Sequence, residues 1–511
     1  MQKLHQWLHS NGIYVDSSLR LVMRDDQSAA VDALRDILPG TTLAQIPRHV
    51  CLSQRTSSLH ISAVLLDNLP PVIRLAVHVA HEIRLGTRSS WDGYFAACPS
   101  VPVPIALLWD ADKDGDSLAW LRGTQVEREM RRLGYNKSWI DRFYHESAQD
   151  LYAQADVPVP SYPHFLHACS LAASRAFQVD NYHGLALVPL ADLFNHSVPP
   201  HVHFASDHWV CSECGALDAC VHDSARPAER HLPAASTSSA SLDHTRDTCD
   251  IVSERYVPAG AEIFNTYGTL SSAQLLVSYG FLLEANEDER LQFDFALVCE
   301  AGGRQNVPEQ AQELYRRWST MSSALKSQGD SLRAVFADHP LITVSQQPDI
   351  CVDADARVDF RLFVLAIWLT QDPVGEADDT ETLFDQALSA ASSLQHSLAA
   401  TESSDSEDGA LPTAESPSLA RARQAASLIV RVCDVYQSRQ HRHELAAADL
   451  LDMADHLAAQ AGPTLVNRSS APALELTASR LQPNDERTCL ALRYVACERL
   501  LLEYTRLQWT L

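Results

Sequence analysis

The spacing of apolar positions changes several times along the chain, and the changes outline its organisation. Leu4, Trp7 and Leu8 recur at helical spacing, and Asn11-Gly12 closes that first helix. A strand-like stretch follows, after which Leu38-Pro39-Gly40 turns into the run Thr42–Pro47. From about 60 to 170 the pattern is mostly helical, with polar breaks around 111–117. Between about 170 and 290 it becomes short strands and turns, punctuated by Gly184, Gly260, Gly268 and Gly280. Helical spacing returns beyond about 300, as in 360–365 and 490–507. Residues 223–247 are rich in Ala, Ser, Pro and His, and residues 397–418 hold five acids, many serines and no base. Neither stretch can bury enough apolar surface to offset the entropy of ordering, so both are expected to be disordered insertions.

Composition narrows the class. With 511 residues and 46% hydrophobic positions the chain can build a large core, and more than one compact unit is expected. A formal net charge of -25 repels nucleic acid backbones, so direct DNA or RNA binding is set aside. The same field would attract a basic protein, although acidity also simply keeps a chain soluble. No run reaches the ~18 apolar residues of a membrane span, and the opening MQKLHQWLHS lacks an apolar signal core. Twelve cysteines at this length read as reduced thiols or metal ligands in a cytoplasmic or nuclear protein.

Two blocks carry the candidate chemistry. In the first, an apolar run from Gly184 delivers Asp192-Leu-Phe-Asn195-His196-Ser197. In the second, the Gly260 turn leads into a short apolar strand ending at Tyr267-Gly268, and Tyr279-Gly280-Phe281 follows twelve residues later. Alone, an Asn-His-Ser turn is usually a capped loop, and Tyr-Gly often ends a strand. A third group is Cys211-x-x-Cys214-Gly215 followed by Cys220-x-His222, with Cys249 farther on. The first pair resembles half of a zinc knuckle, which Cys220, His222 or Cys249 could complete as a structural site. Reduced surface thiols account for the same letters.

Taken in order, the two blocks resemble the SET domain. The closer likeness is to the branch of the Rubisco large-subunit lysine methyltransferase and the fungal ribosomal-protein lysine methyltransferases. Supporting matches are Trp7-Leu8, the Gly40–Pro47 stretch, Ser89-x-Trp91-x-x-Tyr94, Ser174-Arg175-x-Phe177, and the late helix from Leu492 to Glu498-Arg499. The resemblance covers most of the chain apart from the two insertions. It implies an α+β SET fold, with small curved sheets and a knot-like C-terminal segment. A helical insert would split that core, and an all-helical C-terminal domain would present a groove for the substrate. On the sequence the corresponding limits are 1–60, 61–170, 171–292 (with a Cys-bearing insertion at 205–248) and 293–511.

The resemblance also implies S-adenosylmethionine as cofactor and a protein lysine, of a ribosomal or other basic protein, as acceptor. Tyr267 would orient the amine. Asn195 and His196 would meet the adenine end of the cofactor, Arg175 its carboxylate, and Asp192 the pocket edge. Phe177, Tyr279 and Phe281 would line or floor the lysine channel. Two positions depart from the pattern. A Gly-x-Gly turn is replaced by Gln27-Ser28-Ala29-Ala30-Val31, and Ser272 stands where an asparagine is usual. Alternatives are a histidine acceptor on the same fold, or a binding module without turnover.

Overall fold

The computed structural model describes residues 1–24, 28–206, 209–217, 219–222, 247–304, 308–314, 316, 336–344, 350–371, 380–402, 415–460, 473–474 and 483–511. The chain opens with the expected helix, Gln2–Ser10, which buries Leu4 and Leu8. Each such leucine stabilises the fold by about 1.5–3 kcal/mol relative to exposure. Trp7 lies over Gly93, where any side chain would collide with the indole, and its Nε1 donates to the Ser90 carbonyl at 2.7 Å. The matches at Trp7 and Ser89–Tyr94 are therefore two sides of one contact.

The part expected as the SET core follows. Strands β1 (Tyr14–Val15), β2 (Leu19–Met23), β3 (Ala29–Ala33) and β4 (Thr42–Pro47) lie before the helical insert. Strands β5 (Ala176–Asp180), β6 (Gly184–Leu187), β7 (Val202–Ala205) and β8 (Thr248–Ser253) lie after it. β2 pairs with β3 and β5 with β6 as hairpins, while a four-stranded antiparallel sheet runs β1-β4-β8-β7. The β4–β8 register sets Ile46 opposite Cys249, about two hundred positions apart, and every second residue of β8 is buried.

The segment expected as a strand before Tyr267 forms no regular strand. Its donors go to opposite neighbours: Ile263 N–H reaches the Val31 carbonyl at 2.8 Å, and Asn265 N–H reaches that of Asn195 at 2.8 Å. It therefore lies between the N-terminal strands and the Asn195–Ser197 segment, the position expected of the knot-like segment. Residues 61–170 are mostly helical, and Pro71–Leu85 packs against Tyr162–Arg175. Beyond 293 long helices dominate, including Pro417–Ser438 and Pro483–Trp509. That part is not all helical. Arg290–Gln292, Cys351–Asp353, Val358–Asp359 and Ile342–Thr343 form a small sheet whose two- and three-residue strands are too short to show alternation.

Among the described residues three apolar cores result. One joins the insert to Ala447–Gln460 and to the first half of Pro483–Trp509, the second fills the remaining C-terminal helices, and the third fills the SET strands. The Leu492–Arg499 match ties these parts together. Buried Glu498 accepts from Tyr436, Tyr494 and Gln440, and from the Gln125 amide of the insert. Of the two expected insertions, 223–246 and 403–414 lie outside the described residues. The ends of the second are helical, since Thr380–Glu402 and Pro417–Ser438 extend into it.

Candidate functional site

Tyr162–Arg175 ends with its last side chain directed at the turn that carries Asp192. Arg175 Nη1 donates to the Asp192 carbonyl at 3.0 Å and to its carboxylate at 3.1 Å. The Tyr94 hydroxyl donates to the same carboxylate oxygen at 2.8 Å, with Asp192 shielded from water. Arg175 also feels the Tyr267 phenol electrostatically, so it shares a region with the later block. The charge of Asp192 is met inside the protein.

Asn195 and His196 follow within one turn. Asn195 Nδ2 donates to Glu262 at 2.8 Å, and the other Glu262 oxygen holds Arg24 at 2.6 Å. Arg24 is shared with buried Asp32 on β3. This Arg24–Glu262–Asn195 chain was not anticipated, although an acid inside the apolar run Ala261–Phe264 is its signal in the sequence. Asn195 also approaches the Ala29 carbonyl at 3.4 Å. Small Ala29 therefore borders the site, in the stretch where the resemblance implies a Gly-x-Gly turn.

The His196 ring is buried, and burial lowers its pKa from the usual value, which favours the neutral form. Its Nδ1 accepts the Tyr267 amide at 3.1 Å, so the ring proton sits on Nε2. Tyr267 stacks on His196 at 5.0 Å and on Tyr279 at 4.7 Å, with interplanar angles of 20° and 22°. Phe281 closes the group edge-on at 6.3 Å. The Tyr267 hydroxyl donates to the Phe194 carbonyl at 3.3 Å, and burial raises the Tyr279 phenol above its ordinary pKa. Gly280 carries a positive φ and passes so close to the Pro104–Ile105 backbone that a Cβ would crowd it.

Seven of the eight expected residues thus converge: Arg175, Asp192, Asn195, His196, Tyr267, Tyr279 and Phe281. Phe177 does not join the aromatic group. It packs on Phe204 of β7 at 4.8 Å, as part of the SET core. Among the described residues, buried polar atoms without a hydrogen-bond partner include Arg175 Nε, Asp192 Oδ1 and His196 Nε2. Unmatched polar groups cost stability unless something else meets them, and these three sit on residues expected at the cofactor. The residues present fit S-adenosylmethionine on that ground.

The cysteine group is separate. Donor atoms of Cys211, Cys214, Cys220 and His222 all lie within 4.8 Å of one another. Cys249 is not among them. It is buried on β8, where its thiol pairs with that of Cys51 and lies 3.8 Å from Ser206 Oγ. Its alternation-inward position in the strand turns it away from the loop.

No protein-family model matches the chain. An uncharacterised protein of Schizosaccharomyces pombe is 25% identical over 296 residues, 55% of this chain and 54% of that protein. Ribosomal lysine N-methyltransferase 3 of Saccharomyces cerevisiae is 30% identical over 203 residues, 32% of this chain and 36% of that protein. Human N-lysine methyltransferase SETD6 is 24% identical over 304 residues, 56% of this chain and 55% of that protein. The chain thus spans about half, or less, of the relatives it matches. Among solved structures, the SET domain of LSMT bound to lysine and AdoHcy superposes with a TM-score of 0.56 at 15% identity, covering 99% of this chain and 90% of that one. Rubisco LSMT bound to AdoMet gives a TM-score of 0.55 at 14% identity, with 99% and 91% covered. The chain is therefore a SET-fold protein, related in sequence and architecture to the SET-domain lysine methyltransferases.

Proposed function

We propose that this protein transfers a methyl group from S-adenosylmethionine to a lysine side chain of another protein. The observation that carries the reading is the aromatic stack His196–Tyr267–Tyr279, capped by Phe281 and joined to the Arg175–Asp192 and Asn195–Glu262 pairs. When bound, S-adenosylmethionine supplies an electrophilic methyl carbon on a sulfonium sulfur. Because that methyl would be displaced in line by the amine, this chain's residues would contribute mainly by positioning the two. The acceptor must be the neutral amine, and an aromatic, water-poor wall favours that form of a group whose ordinary pKa is ~10.4.

Tyr267 aligns the amine with its hydroxyl, held in place by the hydrogen bond its backbone N–H donates to His196 and by the two stacked rings. Asn195 and His196 take the adenine end of the cofactor, with His196 Nε2–H as a donor. Arg175 takes the carboxylate through the N–H groups that Asp192 leaves free, and Asp192 fixes its orientation. Phe281 and Tyr279 wall the lysine channel. Methyl transfer needs no activated water, so no metal enters the reaction.

The acceptor is a ribosomal or other basic protein, a reading supported by the net charge of -25 and by the name of the yeast relative. The helical part beyond 293 presents the groove for it, and the encounter takes place in the cytoplasm or nucleus. Among the described residues no helix is long and apolar enough to cross a membrane. The test is incubation of a cell lysate with labelled cofactor and the purified chain, followed by mass spectrometry of the labelled residue. Methyl-lysine on a basic protein is expected. Methyl-histidine, or label independent of the added chain, would overturn the reading.

A further inference from the structure

The loop between β7 and β8 holds a second constellation that methyl transfer does not use. Cys211-Ser-Glu-Cys214-Gly215 forms a tight turn in which the Gly215 amide donates to the Cys211 carbonyl at 2.8 Å, and the Cys211 amide donates to Ala216 at 2.9 Å. Gly215 supplies the positive φ that the turn requires. The turn brings two sulfurs together, and Cys220-Val-His222 folds back to add two more donors. His222 Nδ1 lies 3.6 Å from Cys211 Sγ and 3.7 Å from Cys220 Sγ. A tetrahedral zinc with bonds of about 2.3 Å to sulfur and about 2.0–2.1 Å to nitrogen has edges of roughly 3.5–3.8 Å. The two measured distances fall on such edges.

We infer that Cys211, Cys214, Cys220 and His222 hold one structural zinc ion as a Cys3His site. Four protein donors close the coordination shell, which leaves no open position for a substrate. The knuckle is fixed to the SET core. Arg55 donates to the Ser212 carbonyl at 3.2 Å while its guanidinium lies 5.0 Å over the Tyr182 ring. Gly215 rests on the same ring, since a Cβ there would come within 3.0 Å of it. Tyr182 occupies the turn joining β5 to β6, so the metal anchors the long β7–β8 connection beside a SET hairpin. Cys249, buried with Cys51, takes no part.

The test is metal analysis of the purified full-length chain. It should carry about one zinc, and the Cys214→Ser/Cys220→Ser double variant should carry almost none. Cys249→Ser should keep its zinc. Cobalt added to the chelator-stripped wild-type chain should give the intense visible bands of tetrahedral thiolate coordination, a readout that needs no variant to fold. Tyr267→Phe should bind zinc as wild type does, which separates this inference from the methyl-transfer reading. A metal-free wild type that gives no cobalt bands would overturn it. Zinc retained in the double variant, or a disulfide among Cys211, Cys214 and Cys220 found by mass spectrometry, would do the same.

Discussion

The His196 ring lies 5.0 Å from the Tyr267 ring and accepts the Tyr267 amide through Nδ1 at 3.1 Å. These two residues are 71 positions apart in the chain, yet one fixes both the backbone and the ring plane of the other. That coupling makes His196 a positioning residue for Tyr267 as well as a candidate contact of the cofactor.

Tyr267→Phe removes only the hydroxyl and keeps both stacked faces. Turnover should fall by about 10²–10³ while thermal stability changes little, because both ring contacts remain and the hydrogen bond lost to the Phe194 carbonyl is long, at 3.3 Å. Steady-state kinetics and a melting curve on the same preparation check this. Unchanged turnover would place the chemistry elsewhere.

The two phenylalanines should separate by phenotype. Phe281→Ala opens the aromatic group beside Tyr267 and should raise KM for the protein substrate by about tenfold, the loss of ~1–1.5 kcal/mol of packing. Phe177→Ala removes a contact with Phe204 in the SET core and should cost about 2–4 kcal/mol of stability with KM little changed. A KM effect confined to Phe177→Ala would restore that residue to the channel.

Much of the site was legible because polar residues interrupt apolar runs where a buried chain would not otherwise carry them. Asp192, Asn195, His196 and Tyr267 are of that kind. Phe177 packs on Phe204 instead of joining the aromatic group: the helix ends at Arg175 and β5 begins at Ala176, so nearness to Arg175 in sequence does not fix its neighbours. Cys249 lies on β8, where alternation turns every second residue into the core. The Arg24–Glu262–Asn195 chain joins three distant segments: Glu262 stands out in its apolar run, but nothing local marks Arg24 as its partner. The small C-terminal sheet escaped notice because strands such as Val358–Asp359 and Ile342–Thr343 are shorter than one alternation. Helices such as Pro71–Leu85 were plain, since fifteen residues give the 3.6 period room to show.

Two buried groups predict opposite pH slopes. Burial pushes His78 down to about 4, and neither of its ring nitrogens has a partner. The unfolded chain binds that proton below about 6.5 and the folded chain only below about 4, so acidification through this window destabilises the fold. The limit is about 3 kcal/mol. Burial pushes Glu498 up to about 7, so the folded state holds its proton more tightly. Its contribution is present at low pH and is lost as pH rises from about 4.5 to 7. Relative to wild type, His78→Leu should therefore gain stability from pH 7 to 5, and Glu498→Gln should gain it from pH 5 to 7.5. Denaturant melts across this range check both, and parallel curves for variant and wild type would rule the assignments out.

Net charge bears on which substrate the protein meets. The chain has 65 acids against 40 bases, and only five acids lie in 397–418, so most of the surplus belongs to the rest of the chain. A lysine-rich partner would be drawn in by this field, which reaches ~10 Å at 0.1 M salt and less above it. One cavity runs against the trend. A space of about 670 Å³ beside the Ser272–Ser278 helix is lined by Arg128, Arg131, Arg132 and Arg290. Arg132 pairs with Glu129 at 2.6 Å and Arg131 with Glu127 at 3.7 Å, whereas Arg128 and Arg290 donate to the neutral amides of Gln292 and Gln274. The first two therefore oppose a basic partner less than free cations would. Raising salt from about 0.05 to 0.5 M should lower kcat/KM for a basic protein by about tenfold or more, mainly through slower encounter, with kcat nearly constant. Arg128→Glu with Arg290→Glu should strengthen the salt dependence if this cavity faces the incoming chain. Salt-independent kinetics with the basic protein would defeat the idea, and would turn these arginines into the docking site of an acidic partner.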